Sequence, residues 1–186
     1  GGFAFLGRLT LVHSNTEHLL DYWRSRRGDH AAPRRSDVDP ADFARLLPRV
    51  FIAELRASDA VFRLAGEAIC ELHGRSLGGE SLLSLWRHDH RRHLLTALDA
   101  SLRTARPVVV GAEPGGDSEA ARLEMLFAPL VGPDETVDRF LGLYQPVAGN
   151  FAAPLDPLAI TSLAGAPVGV SQSPLRLAAV DGRRIA

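Results

Sequence analysis

Two groups of β-rich segments, held apart by a helical stretch, constrain this chain more than any other feature. Residues 49–56 (RVFIAELR) and 60–66 (AVFRLAG) are short runs of β-branched, aromatic and aliphatic residues, with Ala57-Ser58-Asp59 as a hairpin-sized gap. Residues 107–113 (PVVVGAE), 119–131 (EAARLEMLFAPLV) and 137–147 (VDRFLGLYQPV) have the same character. Pro114-Gly115-Gly116-Asp117 and Gly132-Pro133-Asp134-Glu135 supply turn residues between them. The intervening stretch is helical in spacing. Glu67 to His73 ends at Gly74 and Ser81 to Trp86 is short. Residues 89–105 place Leu94, Leu95, Leu98 and Leu102 on one stripe before Pro107. The order β-β-α-α-α-β-β-β predicts an α+β domain, with five strands in one antiparallel sheet and helices over one face. A cleft between the two layers is a natural place for a small ligand.

Upstream, Ser14 and Glu17 have capping-box spacing, and Thr16 is a second capping residue. Leu19, Leu20, Tyr22 and Trp23 then follow at helical spacing, predicting a helix over about 15–27 that Gly28 stops. After a linker over 28–39, Pro40 opens a second helix with Phe43, Leu46 and Leu47 as its apolar side, ended by Pro48. Burying one large side chain is worth roughly 1.5–3 kcal/mol, so Trp23 and Tyr22 demand a covering layer. That layer is either the outer side of the sheet or the same helix of a second subunit. The expected organisation is an N-terminal extension over 1–48, a core over 49–147 and a tail over 148–186. Most of 150–172 is expected to be an irregular arm. A small hairpin is expected about Asp181-Gly182, between Leu175–Val180 and Arg183-Arg184-Ile185.

Composition bounds the function. The formal net charge is −1, so no global field draws the chain to nucleic acid or to a membrane surface. All 21 basic residues are arginine, a pattern we attribute to coding bias. The single cysteine, Cys70, allows no internal disulfide, which points to a reducing compartment and a cytoplasmic location. The apolar opening Phe3-Ala4-Phe5-Leu6 is broken by Gly7 and Arg8, too early for a signal segment or a membrane span.

Five segments carry a family resemblance: LLDYWRSRRG (19–28), APRRSDVDP (32–40), LLPRVFIAEL (46–55), FRLAGEAICELHGRSLGG (62–79) and LLSLW (82–86). With the last three strands they resemble a PAS domain over about residues 14–147. The likeness is to a bacterial PAS family whose members are often a single such domain without an attached kinase. The block from Phe62 to Gly79 is its most specific part. The resemblance implies a sensory or regulatory domain, not an enzyme, that binds a small molecule or a protein partner and signals in trans. The change would pass through the N-terminal helix or a homodimer interface built on residues 15–27.

Candidate ligand-binding residues, from the short helices and the inner faces of the strands, are Phe62, Leu64, Ile69, Leu72, Trp86, Leu98, Met125, Phe127 and Tyr144. Packing into a solid core is the competing reading for the same residues. Strict alternation over 61–65 sets Phe62 and Leu64 on one face and Val61, Arg63 and Ala65 on the other. Arg63 is either an anchor for an anionic ligand or half of a structural ion pair, with Glu124 as its expected partner.

The flavin-adduct cysteine of photosensing PAS relatives lies in an Asn-Cys-Arg-Phe-Leu motif. Here the sequence is Ile69-Cys70-Glu71-Leu72, so flavin is not expected and Cys70 is taken as a small buried residue. His88, His90 and His93 fan out by about 140–200° from the first on a helix, which argues against a metal cluster. A haem PAS domain uses an axial histidine on its long helix, which leaves His93 as a weak haem candidate. No cofactor is expected. His73, beside Gly74, is expected at a helix end facing terminal carbonyls. Arg24, Arg26, Arg27, Arg34 and Arg35 are diluted by Asp29, Asp37 and Asp39 and are expected in a solvated loop with local ion pairs. No nucleophile elbow, phosphate loop or zinc motif is present. The alternatives are a small cone-shaped α+β isomerase or hydratase, which would need a titratable residue such as Asp99 or Glu124 buried in the cleft with a perturbed pKa, and a haem sensor.

Overall fold

The two strand groups meet along a single seam. In the computed structural model, which describes residues 12–116 and 121–166, β1 (Val50–Arg56) forms a hairpin with β2 (Asp59–Ala65) on one side. On its other side β1 pairs antiparallel with β5 (Val137–Ala148), from Val50 opposite Leu143 to Glu54 opposite Arg139. Phe51 stands opposite Gly142, and its ring occupies the space a side chain at Gly142 would fill, so the seam closes only around a glycine. β4 (Arg122–Val131) and β3 (Val108–Pro114) follow as antiparallel neighbours. The full order is β2-β1-β5-β4-β3-β6, which meets the α+β expectation with six strands in place of five.

The sixth strand, β6 (Leu158–Gly165), pairs antiparallel with β3. It lies where an irregular arm was expected over 150–172. The correction has a physical reason: the sequence LAITSLAG has weak strand markers of its own, but the open edge of β3 supplies its hydrogen bonds. The Arg87 amide donates to the Leu158 carbonyl at 2.9 Å, and the Ile160 amide donates to Nδ1 of His90 at 3.1 Å. Before β6, the Leu155 amide donates to the Leu72 carbonyl at 2.8 Å, strapping the chain across the inner helices. The expected hairpin about Asp181-Gly182 lies outside the described residues.

Both faces of the sheet are covered, not one. Alternation sends Phe51, Ala53, Met125, Phe127, Phe140 and Tyr144 inward against α2 (Glu67–His73) and α3 (His88–Thr104). Val50, Ile52, Leu126, Ala128, Leu130, Leu141 and Leu143 point outward, under α1 (Ser14–Arg27). Strands buried on both faces read as near-continuous apolar runs, which is what 123–130 and 140–145 are. Leu19, Leu20 and Trp23 are buried on the outer face, and the Trp23 indole donates to the Pro129 carbonyl at 2.6 Å. The apolar stripe of α1 is therefore spent on its own sheet, the first of the two covering layers expected for Trp23. Its N-cap is His13, whose Nδ1 accepts from the Asn15 amide, not Ser14 or Thr16.

The second N-terminal helix is a 3₁₀ segment, Pro40–Arg49, broken at Phe43 and capped by Asp39. It runs straight into β1 and packs Phe43 and Leu46 on the outer core. On the inner side, residues 79–82 cover the free edge of β2, with Phe62 and Leu82 amides bonded to Glu80 and Ala60 carbonyls. A 3₁₀ turn, Leu83–Leu85, then leads to α3.

Candidate functional site

Seven of the inner-face candidates form one packed core. Phe62, Ile69, Trp86, Leu98, Met125, Phe127 and Tyr144 are fully buried together. Phe51 ties them with edge-to-face contacts to Phe62, Phe127 and Tyr144. Leu72 is half-buried at the margin.

Leu64 does not join them. Ala53 pairs with Phe62 and Ile52 with Leu64, so Arg63 is the extra residue of a β-bulge. Beyond the bulge the parity inverts. Leu64 lies opposite outward-facing Ile52 and is 46% exposed, while Ala65 packs on the inner core. Arg63 lies 3.5 Å from Glu54 on the adjacent strand. Glu124 cannot be its partner, because β1 and β5 stand between β2 and β4. Glu124 instead accepts from the His13 amide at 2.9 Å.

Open space remains at one end of this core. A cleft of about 250 Å³ lies between α2, β5 and the strap before β6, lined by Arg49, Ala68, Ile69, Glu71, Leu72, Tyr144, Pro146 and Ala153. Gly74 takes the left-handed conformation that ends α2 (φ 67°), so His73 is the last helical residue. Its side chain does not face the terminal carbonyls as expected. It lies one turn from Ile69, turns inward with it, and brings Nε2 within 3.2 Å of the Tyr144 hydroxyl. The two rings meet edge to face. Burial, with a smaller push from Arg75, lowers the His73 pKa to about 4, and burial raises that of Tyr144. Both groups are neutral near pH 7, so the pair is a neutral hydrogen bond, with Tyr144 lining the cleft and His73 buried behind it. The four-residue spacing from Ile69 was the signal that would have found His73.

The cleft wall is tied to the outer face. Arg49 donates to Oε1 of Gln145 at 3.4 Å, and Asn15 donates to the same oxygen at 2.9 Å. Gln145 is buried, next to Tyr144 on β5 but on the opposite face. Sequence reasoning named neither Arg49 nor Gln145, because their meeting depends on the β1–β5 seam.

The remaining candidates stand apart from the cleft. His93 is exposed on α3, so it offers no axial ligand inside the core, and Nδ1 of His90 is occupied by Ile160. Among the described residues no three metal-ligating side chains gather. Cys70 is half-buried, with Sγ 3.8 Å from the Ala65 carbonyl. Asp99 is exposed and paired with Arg103 at 2.9 Å. Arg24 pairs with Asp21, Arg26 with Asp42 and Arg34 with Glu135, and Arg27 lies over the Trp23 ring. Arg35 donates to the Val38 carbonyl at 3.5 Å.

The PAS domain family model matches residues 11–145, from just before α1 to the end of β5's buried run. The chain belongs to the PAS domain family. No curated protein matches the sequence. PAS domains are in general sensory and regulatory modules, and membership of the family supports a role of that general kind. The match stops before β6 and the strap, so the lid of the cleft lies outside it. No helix among the described residues is long and apolar enough to cross a membrane.

Proposed function

We propose that this PAS domain is a sensor that takes one small, mostly apolar molecule into the α2–β5 cleft and signals to a partner protein in trans. The observation that carries the reading is Arg49. It lines the cleft and also holds Gln145, which in turn holds Asn15 at the start of α1. A ligand that draws the Arg49 guanidinium inward weakens its hold on Gln145, and the first turn of α1 feels the change. The cleft is smaller than the roughly 300–1,000 Å³ of drug-sized sites, which supports a small ligand. Its apolar lining, with Arg49, Glu71 and the neutral Tyr144 hydroxyl as its polar groups, suits a molecule with a single polar end.

Native mass spectrometry of the full chain purified from its own host tests this. The expected result is a copurifying small molecule that is lost in Ala68→Phe, a change that fills the cleft mouth and leaves the melting temperature near its original value. No bound species, together with no thermal stabilisation by a panel of small aromatic and aliphatic acids, alcohols and amides, rejects the reading. The enzyme alternative required a titratable residue buried in the cleft, and neither Asp99 nor Glu124 lines it.

A further inference from the structure

At the other end of β1, about 20 Å from the cleft by strand length, a depression of about 480 Å³ opens between the β1–β2 turn, residues 81–84 and the first two turns of α3. We propose that it is a second ligand site, built for a small organic phosphate, and independent of the α2–β5 cleft, with which it shares no residue.

His88, Arg91, Arg92 and Leu95 follow one another at i, i+3, i+4 and i+7, so one face of α3 carries all four into the depression. Arg91 is oriented by a 3.0 Å bond from its Nε to the Trp86 carbonyl, and among the described residues the rest of its guanidinium has no partner. Among the described residues, no carboxylate lies within ion-pair distance of Arg91 or Arg92. Arg63, Arg75, Arg87 and Arg103 each have one. Both arginines line the depression, and a phosphate bound there supplies the counter-charge.

The single carboxylate in the depression, Asp59, is already engaged. Its Oδ1 accepts from the Ser81 hydroxyl at 2.6 Å and the Ala60 amide at 2.7 Å. Arg91 and Arg92 outweigh the one carboxylate, so the local charge is positive, and Ser58 adds a hydroxyl to the lining. Arginine's planar fork matches phosphate oxygens in pairs. Leu83 and Leu95 form an apolar wall, and the volume exceeds what inorganic phosphate fills, so the ligand carries an organic part beside its phosphate.

Titrating the isotope-labelled full chain with phenyl phosphate, inorganic phosphate and benzoate, and following backbone amide resonances, tests the site. Phenyl phosphate is expected to move the amides of Ser58, Ser84 and residues 88–92 saturably, more tightly than the other two. The amides of Ile69, Leu72 and Tyr144 stay in place. Arg92→Ala, at an exposed position and with an unchanged melting curve, is expected to weaken binding about tenfold. Ala68→Phe leaves this binding intact, so loss of the cleft reading and loss of this one are separate results. Shifts no larger than sodium chloride gives at equal ionic strength, or equal affinity in Arg92→Ala, overturn the site. Equal affinity for inorganic and phenyl phosphate overturns the organic ligand.

Discussion

Burial holds the imidazole of His73 neutral, with its pKa at about 4 against 6.5 for a free histidine, and Arg75 pushes the same way. The unfolded chain takes up a proton near pH 6.5 that the folded chain refuses until near pH 4. The contribution of this residue to stability is therefore full above pH 6.5 and is lost as pH falls through that window, by roughly 3 kcal/mol at most. Denaturant melts at about pH 7.5 and about pH 4.5 are expected to show a steeper loss in the original chain than in His73→Phe. The difference should be about 1–3 kcal/mol. Parallel losses would mean that the imidazole titrates normally and does not sit against Tyr144. The identity of His73 as a core residue was legible in its spacing from Ile69. Its partner was not, because Tyr144 lies 71 positions away.

At the level of one element, the β2 bulge decides which residues belong to the site. Without it, Leu64 would sit beside Phe62 under the helices. With it, Arg63 absorbs the extra position and Leu64 turns out. Leu64→Lys is accordingly expected to change stability by no more than about 0.5 kcal/mol. Phe62→Ala, one pair away on the buried side, is expected to cost about 3–5 kcal/mol. Urea melts of the two variants settle the register: comparable losses would place both side chains in the core and remove the bulge. No residue in AVFRLAG announces a bulge. An arginine in strict alternation reads the same whether it faces solvent by parity or by an inserted position. Only the pairing of β1 with β2 separates the two.

For the whole molecule, one sheet serves two cores, and α1 closes the outer one. Leu19, Leu20 and Trp23 together bury about 5–9 kcal/mol of apolar surface, which is comparable to the roughly 5–15 kcal/mol that separates a folded domain from its unfolded chain. A chain lacking residues 1–28 is therefore expected to lose cooperative unfolding or to aggregate through the bared face of Leu126, Leu130, Leu141 and Leu143. It should not simply change from dimer to monomer. Circular dichroism melts with light scattering check this, and an equally stable monomer would show that the outer core is dispensable. The order of elements from β1 to β5, the span of α2, the end of α1 at Arg27 and the α+β class were legible in the sequence. The elements rest on local periodicity and stop residues that act within a few positions, and the class rests on their order along the chain. Tertiary structure alone decided that α1 covers its own sheet and that LAITSLAG becomes an edge strand. It alone brought Arg49, Gln145 and Asn15 into one chain of bonds, and set His88, Arg91 and Arg92 beside the β1–β2 turn. Those outcomes depend on which distant backbone edge or face is left open, and that is a property of the assembled sheet, not of any segment in it.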